Sequence, residues 1–196
     1  MASDADAIQA VLHGDADRYA ELVDKYQGQA IRLAFSFLGN YEDARDASQD
    51  AFVSAYRSLA RFRGGAKFST WLYRIIMNAC KDARRRRSRQ PVVVATIGEP
   101  DPDPDATGLF VEVDDPAAGP SEQLANRELA LALSQAVQSL PEHQRTAFLL
   151  HHVHGVSLEE AAEVMRCRVG TVKSHVFRAT AALRVRLSPW LAKEGF

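Results

Sequence analysis

The 196-residue sequence predicts an all-α protein: two small helical domains joined by a long acidic, proline-rich linker. Three observations lead there. Apolar residues recur at three- and four-residue spacing toward both ends of the chain. The stretch between is broken by Pro91, Pro100, Pro102, Pro104, Pro116 and Pro120 and carries acidic charge only. Near the C-terminus a short capped helix, a tight turn and a second helix follow one another.

The first domain is read as residues 1–89. Its first helix covers Ala16 to Leu38, with Tyr19, Leu22, Val23, Tyr26, Ala30, Leu33, Ala34 and Phe37 as the apolar face. Gly39-Asn40 is a stop signal. Glu42 to Leu59 repeats the pattern with Ala44, Ala47, Ala51 and Ala55, and sets Asp43, Asp46, Gln49, Asp50 and Arg57 on the other face. The glycine pair in Phe62-Arg-Gly-Gly-Ala-Lys-Phe68 predicts a loop. Ser69 is the expected N-cap of a third helix through Arg87, with Leu72, Ile75, Ile76, Ala79 and Ala83 as its apolar stripe. Residues 90–120 are the expected linker, mostly disordered, with Val92–Val94 and Leu109–Val111 as short extended pieces. Relaxed, such a tether averages roughly 30 Å, close to one turn of DNA at about 34 Å.

The second domain is read as residues 121–196. Leu124 to Leu140 and Pro141 to His152 are helical in pattern. Ser157 and Glu160 form a capping-box pair ahead of Ala161-Ala162, a small pair that lets two helices cross closely. Val172, Val176 and Leu183 then face the core, and Pro189 is the expected end of the last helix. Thr171, Lys173, Ser174, His175 and Arg178 are left outward at the front of the second helix. Lys and Arg neutralise phosphates and the other side chains can reach base edges, so this is a helix-turn-helix suited to duplex DNA.

Composition excludes several classes. With 46% hydrophobic and 25% charged residues the chain is a globular protein, and its two cysteines make no disulfide framework. No signal-peptide pattern and no run of about 18 apolar residues is present, so a cytoplasmic protein without membrane insertion is expected. Net charge is −1 and uninformative, but its distribution is not. From Arg57 to Arg89 the only acid is Asp82, whereas residues 90–120 hold Glu99, Asp101, Asp103, Asp105, Glu112, Asp114 and Asp115 and no base. Such segregation points to a polyanion partner.

Within the basic segment, Phe62, Phe68, Trp71 and Tyr73 are interleaved with Arg61, Arg63, Lys67 and Arg74. Aromatic faces beside positive charge suit unstacked single-stranded bases, and the same rings suit a core. The Arg84–Arg87 run fits phosphate contact or a solvated helix end favourable to the dipole.

Taken together these blocks resemble the extracytoplasmic-function sigma factors of the sigma-E type. The resemblance is carried by Gln49-Asp-Ala-Phe-Val-Ser-Ala-Tyr-Arg57, by Phe62-Arg-Gly-Gly-Ala-Lys-Phe-Ser-Thr-Trp-Leu-Tyr-Arg74 and by Cys167-Arg-Val-Gly-Thr-Val-Lys-Ser-His-Val-Phe-Arg178. It implies a bacterial transcription initiation factor without catalysis or cofactor of its own. Such a factor binds core RNA polymerase, directs it to promoter DNA and opens the minus-ten region, and an anti-sigma factor commonly restrains it. By position, Asp43, Asp46, Gln49, Asp50 and Arg57 fall on the polymerase-docking surface. Phe62, Arg63, Lys67, Phe68, Tyr73, Arg74, Asn78, Lys81, Arg84 and Arg85 fall where the minus-ten strand is read and a base is flipped out. Phe62 and Asn78 are its expected pocket, with Trp71 partly core. Thr171, Lys173, Ser174, His175, Phe177 and Arg178 fall on the reader of the minus-thirty-five duplex. Three positions depart from the pattern: Arg166 stands where the turn often has Gly, and His175 and Thr180 stand where Arg is common.

Other readings fit less well. His143, His151, His152 and His154 lack a nearby Cys or acid to complete a zinc site, so no metal is expected. Cys80 and Cys167 are read as small buried residues. A response regulator would need a parallel α/β receiver, and no strand pattern is present. A sigma-binding antagonist would not need two DNA-suited surfaces.

Overall fold

The computed structural model describes residues 3–89 and 120–191, with side chains from 3–87 and 128–190. Among the described residues there is no strand, and the chain divides into two compact units, Met1–Pro91 and Val92–Phe196. The readings made for residues 90–119 lie outside the described residues.

The first unit holds α1 (Asp4–Leu12), α2 (Tyr19–Leu38), α3 (Tyr41–Ser58) and α4 (Phe68–Arg89), with short 3₁₀ turns before α2 and after α3. The sequence reading missed α1. Its start is a capping box in which the Asp6 amide donates to Ser3 Oγ at 3.2 Å and the Ser3 amide donates to Asp6 Oδ2 at 3.1 Å. The Ser3 hydroxyl, which donates to Asp6 Oδ2 at 2.8 Å, and then the Ser3 amide hold the Asp6 carboxyl below the usual carboxylate range. Ala7 and Ile8 are buried, and Asp4 reaches Lys25 and Tyr26 of α2.

Gly39 ends α2 in the left-handed conformation at φ 70°, which costs glycine little. Asn40 then caps α3 by accepting from the Asp43 amide at 2.9 Å. Ala44, Ala47, Ala51 and Ala55 are each at most 1% exposed. That methyl-only stripe lets α2 and α4 pack closely on α3, and Leu33, Ala34, Phe37, Leu72, Ile76 and Cys80 of those two helices are buried.

Two expectations about α4 need correction. The helix begins at Phe68, and the Trp71 amide already donates to the Lys67 carbonyl at 3.2 Å, so Ser69 is inside the first turn and does not cap it. The buried stripe runs through Phe68, Leu72, Ile76, Met77 and Cys80, while Ile75, Ala79 and Ala83 are half-buried.

The second unit holds α5 (Pro120–Gln138), α6 (Glu142–Phe148), a π-helical turn (Leu149–Val153), α7 (Leu158–Met165) and α8 (Val169–Leu191). Val137, Leu140, Ala147, Leu149, Leu150, Ala161, Val172 and Ala179 form its core. Arg145 is buried at 1% exposure and donates to the Gln138 carbonyl at 2.7 Å, closing the end of α5. The last helix does not stop at Pro189. Proline cannot donate to the Val185 carbonyl one turn back, but the Ser188 hydroxyl does so at 2.9 Å, and α8 continues to Leu191.

Candidate polymerase and promoter interfaces

Asp43, Asp46, Gln49 and Asp50 of α3 line one depression of about 600 Å³, with Ala83, Arg86 and Arg87 of α4 on its other side. Helical spacing accounts for the grouping, because three- and four-residue steps keep side chains on one face. Two of these acids are paired across to α4: Arg87 meets Asp43 at 3.0 Å and Arg86 meets Asp50 at 3.3 Å. All four partners are well exposed, so each pair adds little stability. Sequence reading placed the acids and the arginines on separate surfaces, and α3–α4 packing brings them together. Arg57 is not in that depression but shares a second groove with Asp50. That groove, of about 490 Å³, is also lined by Ser54, Asn78 and Arg86.

The 62–67 loop opens where the Phe62 amide closes the preceding 3₁₀ turn on the Leu59 carbonyl at 2.9 Å. Gly64 takes φ 70°, a conformation that strains residues with a Cβ. Behind the loop sits an aromatic cluster. Phe62 packs on Trp71 at 5.3 Å between ring centroids and on Phe68 at 5.8 Å. Tyr26 closes the far side of Phe68 at 5.5 Å. Phe68 is 3% exposed and Trp71 9%, so both rings belong to the core. This corrects the placing of Phe68 among DNA-contacting residues. Phe62 is the half-buried member of the cluster, and Arg63 and Lys67 are exposed beside it.

Along α4, Tyr73 and Arg74 are half-buried, and the Tyr73 hydroxyl donates to Gln29 Oε1 of α2 at 3.1 Å. Asn78 is exposed two helical turns beyond Trp71, on the same face. Lys81 is half-buried, whereas Arg84 and Arg85 are exposed, Arg85 lying 3.6 Å from Asp82.

In the second unit Ser157 caps α7 by accepting from the Glu160 amide at 3.1 Å, and Glu160 accepts in return from the Ser157 amide at 3.2 Å. Arg166 makes the turn at φ 52°, ψ 46°, the left-handed conformation where glycine is usual. The following Cys167 amide donates to the Ala162 carbonyl at 3.1 Å, which ties the turn back onto α7. Buried Ala161 and Ala162 admit α8, whose Val172, Ala179 and Leu183 point inward and whose Val176 is half-buried. Thr171, Lys173, Ser174, Phe177 and Arg178 are exposed. Phe177 is 75% exposed, an uncommon degree for a phenylalanine and one that suits apolar contact with a thymine methyl.

His175 differs from these neighbours. It is half-buried and stacks on His143 of α6, with centroids 5.7 Å apart and planes 24° off parallel. Burial, then His143 and Arg178, lower its pKa from the ordinary histidine value. The other histidines have local partners: His151 Nδ1 lies 3.0 Å from the Val156 carbonyl, and His152 packs on Phe148. Among the described residues no three His, Cys, Asp or Glu side chains are grouped as a metal ion would require.

Comparison with known proteins matches residues 22–90 to Sigma-70 region 2 and residues 130–183 to Sigma-70 region 4. The RNA polymerase sigma-H factor of Pseudomonas aeruginosa is 38% identical, over 96% of this chain and 95% of that protein. The chain belongs to the extracytoplasmic-function sigma factors of RNA polymerase. The ECF RNA polymerase sigma-E factor of Escherichia coli is 33% identical, over 95% of each chain. Among solved structures, CnrH in complex with the cytosolic domain of CnrY is 25% identical over 95% of this chain and 99% of that one, with a TM-score of 0.65. RpoE of Bartonella quintana, solved with the anti-sigma factor NepR, shares the fold at a TM-score of 0.61 and 23% identity, over 87% of this chain and 96% of that one. As an ECF sigma factor this protein is a transcription initiation factor that binds core RNA polymerase and promoters. No described helix is long and apolar enough to cross a membrane.

Proposed function

We propose a division of labour between the two units. The first, residues 1–89, docks on core polymerase and melts the minus-ten region; the second, residues 121–196, anchors the minus-thirty-five duplex. Residues 90–120 tether them.

The observation that carries this reading is the presence of two distinct chemistries in the first unit, which meet at the groove shared by Asp50 and Asn78. Asp43, Asp46, Gln49 and Asp50 share one polar depression suited to a protein partner. Phe62, Arg63 and Lys67 sit on a loop backed by an aromatic cluster. A flipped base costs a few kcal/mol of stacking, and the exposed edge of Phe62 with Asn78 replaces part of it by stacking and hydrogen bonding. Arg74, Lys81, Arg84 and Arg85 hold the strand's phosphates, and Tyr73 supports the α4 face from its bond to Gln29. In the second unit Lys173 and Arg178 position the duplex, while Thr171, Ser174, His175 and Phe177 face base edges.

The protein catalyses no reaction itself and works in the cytoplasm with polymerase. An anti-sigma factor is its proposed antagonist, as the Bartonella quintana fold neighbour was solved with one. Run-off transcription with core polymerase on a promoter library tests the reading. Transcripts that require this protein, and that are lost with Asp50→Lys or Phe62→Ala, are expected. Unchanged transcription by both variants would overturn the residue assignments.

A further inference from the structure

We propose that His143 is a positioning residue that holds His175 for base reading in the minus-thirty-five duplex, an inference that rests on the role proposed above for the α8 side chains that face base edges. His143 lies in the first turn of α6, outside the helix-turn-helix, and its near-parallel stack on His175 bridges α6 to α8. His175 Nδ1 is fully covered and has no hydrogen-bond partner. A covered nitrogen without a partner is cheaper as a bare lone pair than as an N–H, because an unpaired buried donor keeps its whole desolvation cost and a cation more so. The ring is therefore neutral with its proton on Nε2, and the lowered pKa agrees.

The consequence is a defined reading chemistry. A neutral imidazole with one free N–H donates a single hydrogen bond, whereas the arginine common at this position in the family grips guanine with two. His175 then reads an acceptor in the major groove, such as a purine N7 or thymine O4, and rejects the cytosine amino group, which presents a donor. A single bond to a freely rotating ring would discriminate poorly. The His143 face removes that freedom by fixing the ring plane.

The test uses holoenzyme assembled from the full chain and core polymerase, with binding measured on promoter duplexes carrying each substitution through the minus-thirty-five element. His175→Ala is expected to reduce base preference at one base pair by roughly fivefold, the lower range for a base contact. His143→Ala should erode preference at that same pair by at least about half of that effect, with other pairs unchanged. His143→Phe, which keeps a flat stacking ring, should restore it. Should His143→Ala lower the melting temperature of the protein, His143→Gln, which fills space without a ring, takes its place. A silent His175→Ala would overturn the base-reading role of His175 and the proposal with it. An effect of His175→Ala together with a silent His143→Ala, an even loss across all duplexes, or a His143→Phe no better than His143→Ala would overturn the role of His143 alone.

Discussion

Single residues carry the clearest physical consequences. Arg166 is the only described non-glycine residue with positive φ, at 52°. Left-handed backbone costs an L-residue about 1 kcal/mol or more, so Arg166→Gly should raise stability by roughly 0.5–1 kcal/mol, seen as a higher melting temperature. An unchanged or lower melting temperature would mean that the Arg166 side chain compensates the backbone. Cys80 is buried and its thiol is pushed up to about 12, chiefly by burial. Its unfolded value is lower, so this contribution to stability is intact below about pH 9 and is lost as pH rises toward 12. Tyr19, also pushed up to about 12 by burial, acts in the same direction above its unfolded value. Alkaline unfolding followed by circular dichroism checks this, and alkylation at pH 8 should modify half-buried Cys167 well before Cys80. Legibility in the sequence differed from residue to residue. A tight turn near Arg166 was legible because a capped helix is followed at once by a second helix, but its left-handed backbone was not, since Arg there fitted either that conformation or a different turn. The fate of Phe68 was not, since aromatic and basic residues alternate alike in a stacking platform and in a core rim. His143 was visible only as a non-ligand, because nothing local in sequence couples it to His175.

At the scale of elements, periodicity and caps did most of the work. The alanine stripe of α3 and the Ser157 capping box were readable directly, since each depends on residues within one or two helical turns. Ser157→Ala should cost about 1 kcal/mol in thermal or denaturant unfolding. The α1 helix was overlooked although Ser3 and Asp6 stand at capping-box spacing, because its buried face is only Ala7 and Ile8. The continuation of α8 through Pro189 depends on the Ser188 hydroxyl, a local rescue that a proline rule does not anticipate. The pairing of α3 acids with α4 arginines is tertiary and could not be read from either helix alone. Because those pairs are exposed, Asp50→Asn should shift stability by less than about 1 kcal/mol. The same change should weaken assembly with core polymerase severalfold by about 1 kcal/mol or more, as loss of one partner at a buried interface does. Equal assembly by wild type and variant, in a fluorescence titration, would remove Asp50 from the docking surface.

For the whole molecule, the sequence organisation of two helical blocks around an acidic stretch corresponds to two compact units with the family's region 2 and region 4. The central claim is that the first unit opens DNA with Phe62 and Asn78 while other surfaces supply most of the binding. Permanganate reactivity of minus-ten thymines in holoenzyme–promoter complexes, measured beside total promoter binding, tests it most directly. With Phe62→Ala and Asn78→Ala, reactivity should fall by about tenfold, the equivalent of ~1.4 kcal/mol, with binding kept within about twofold. Reactivity and binding falling together, or neither falling, would contradict the account.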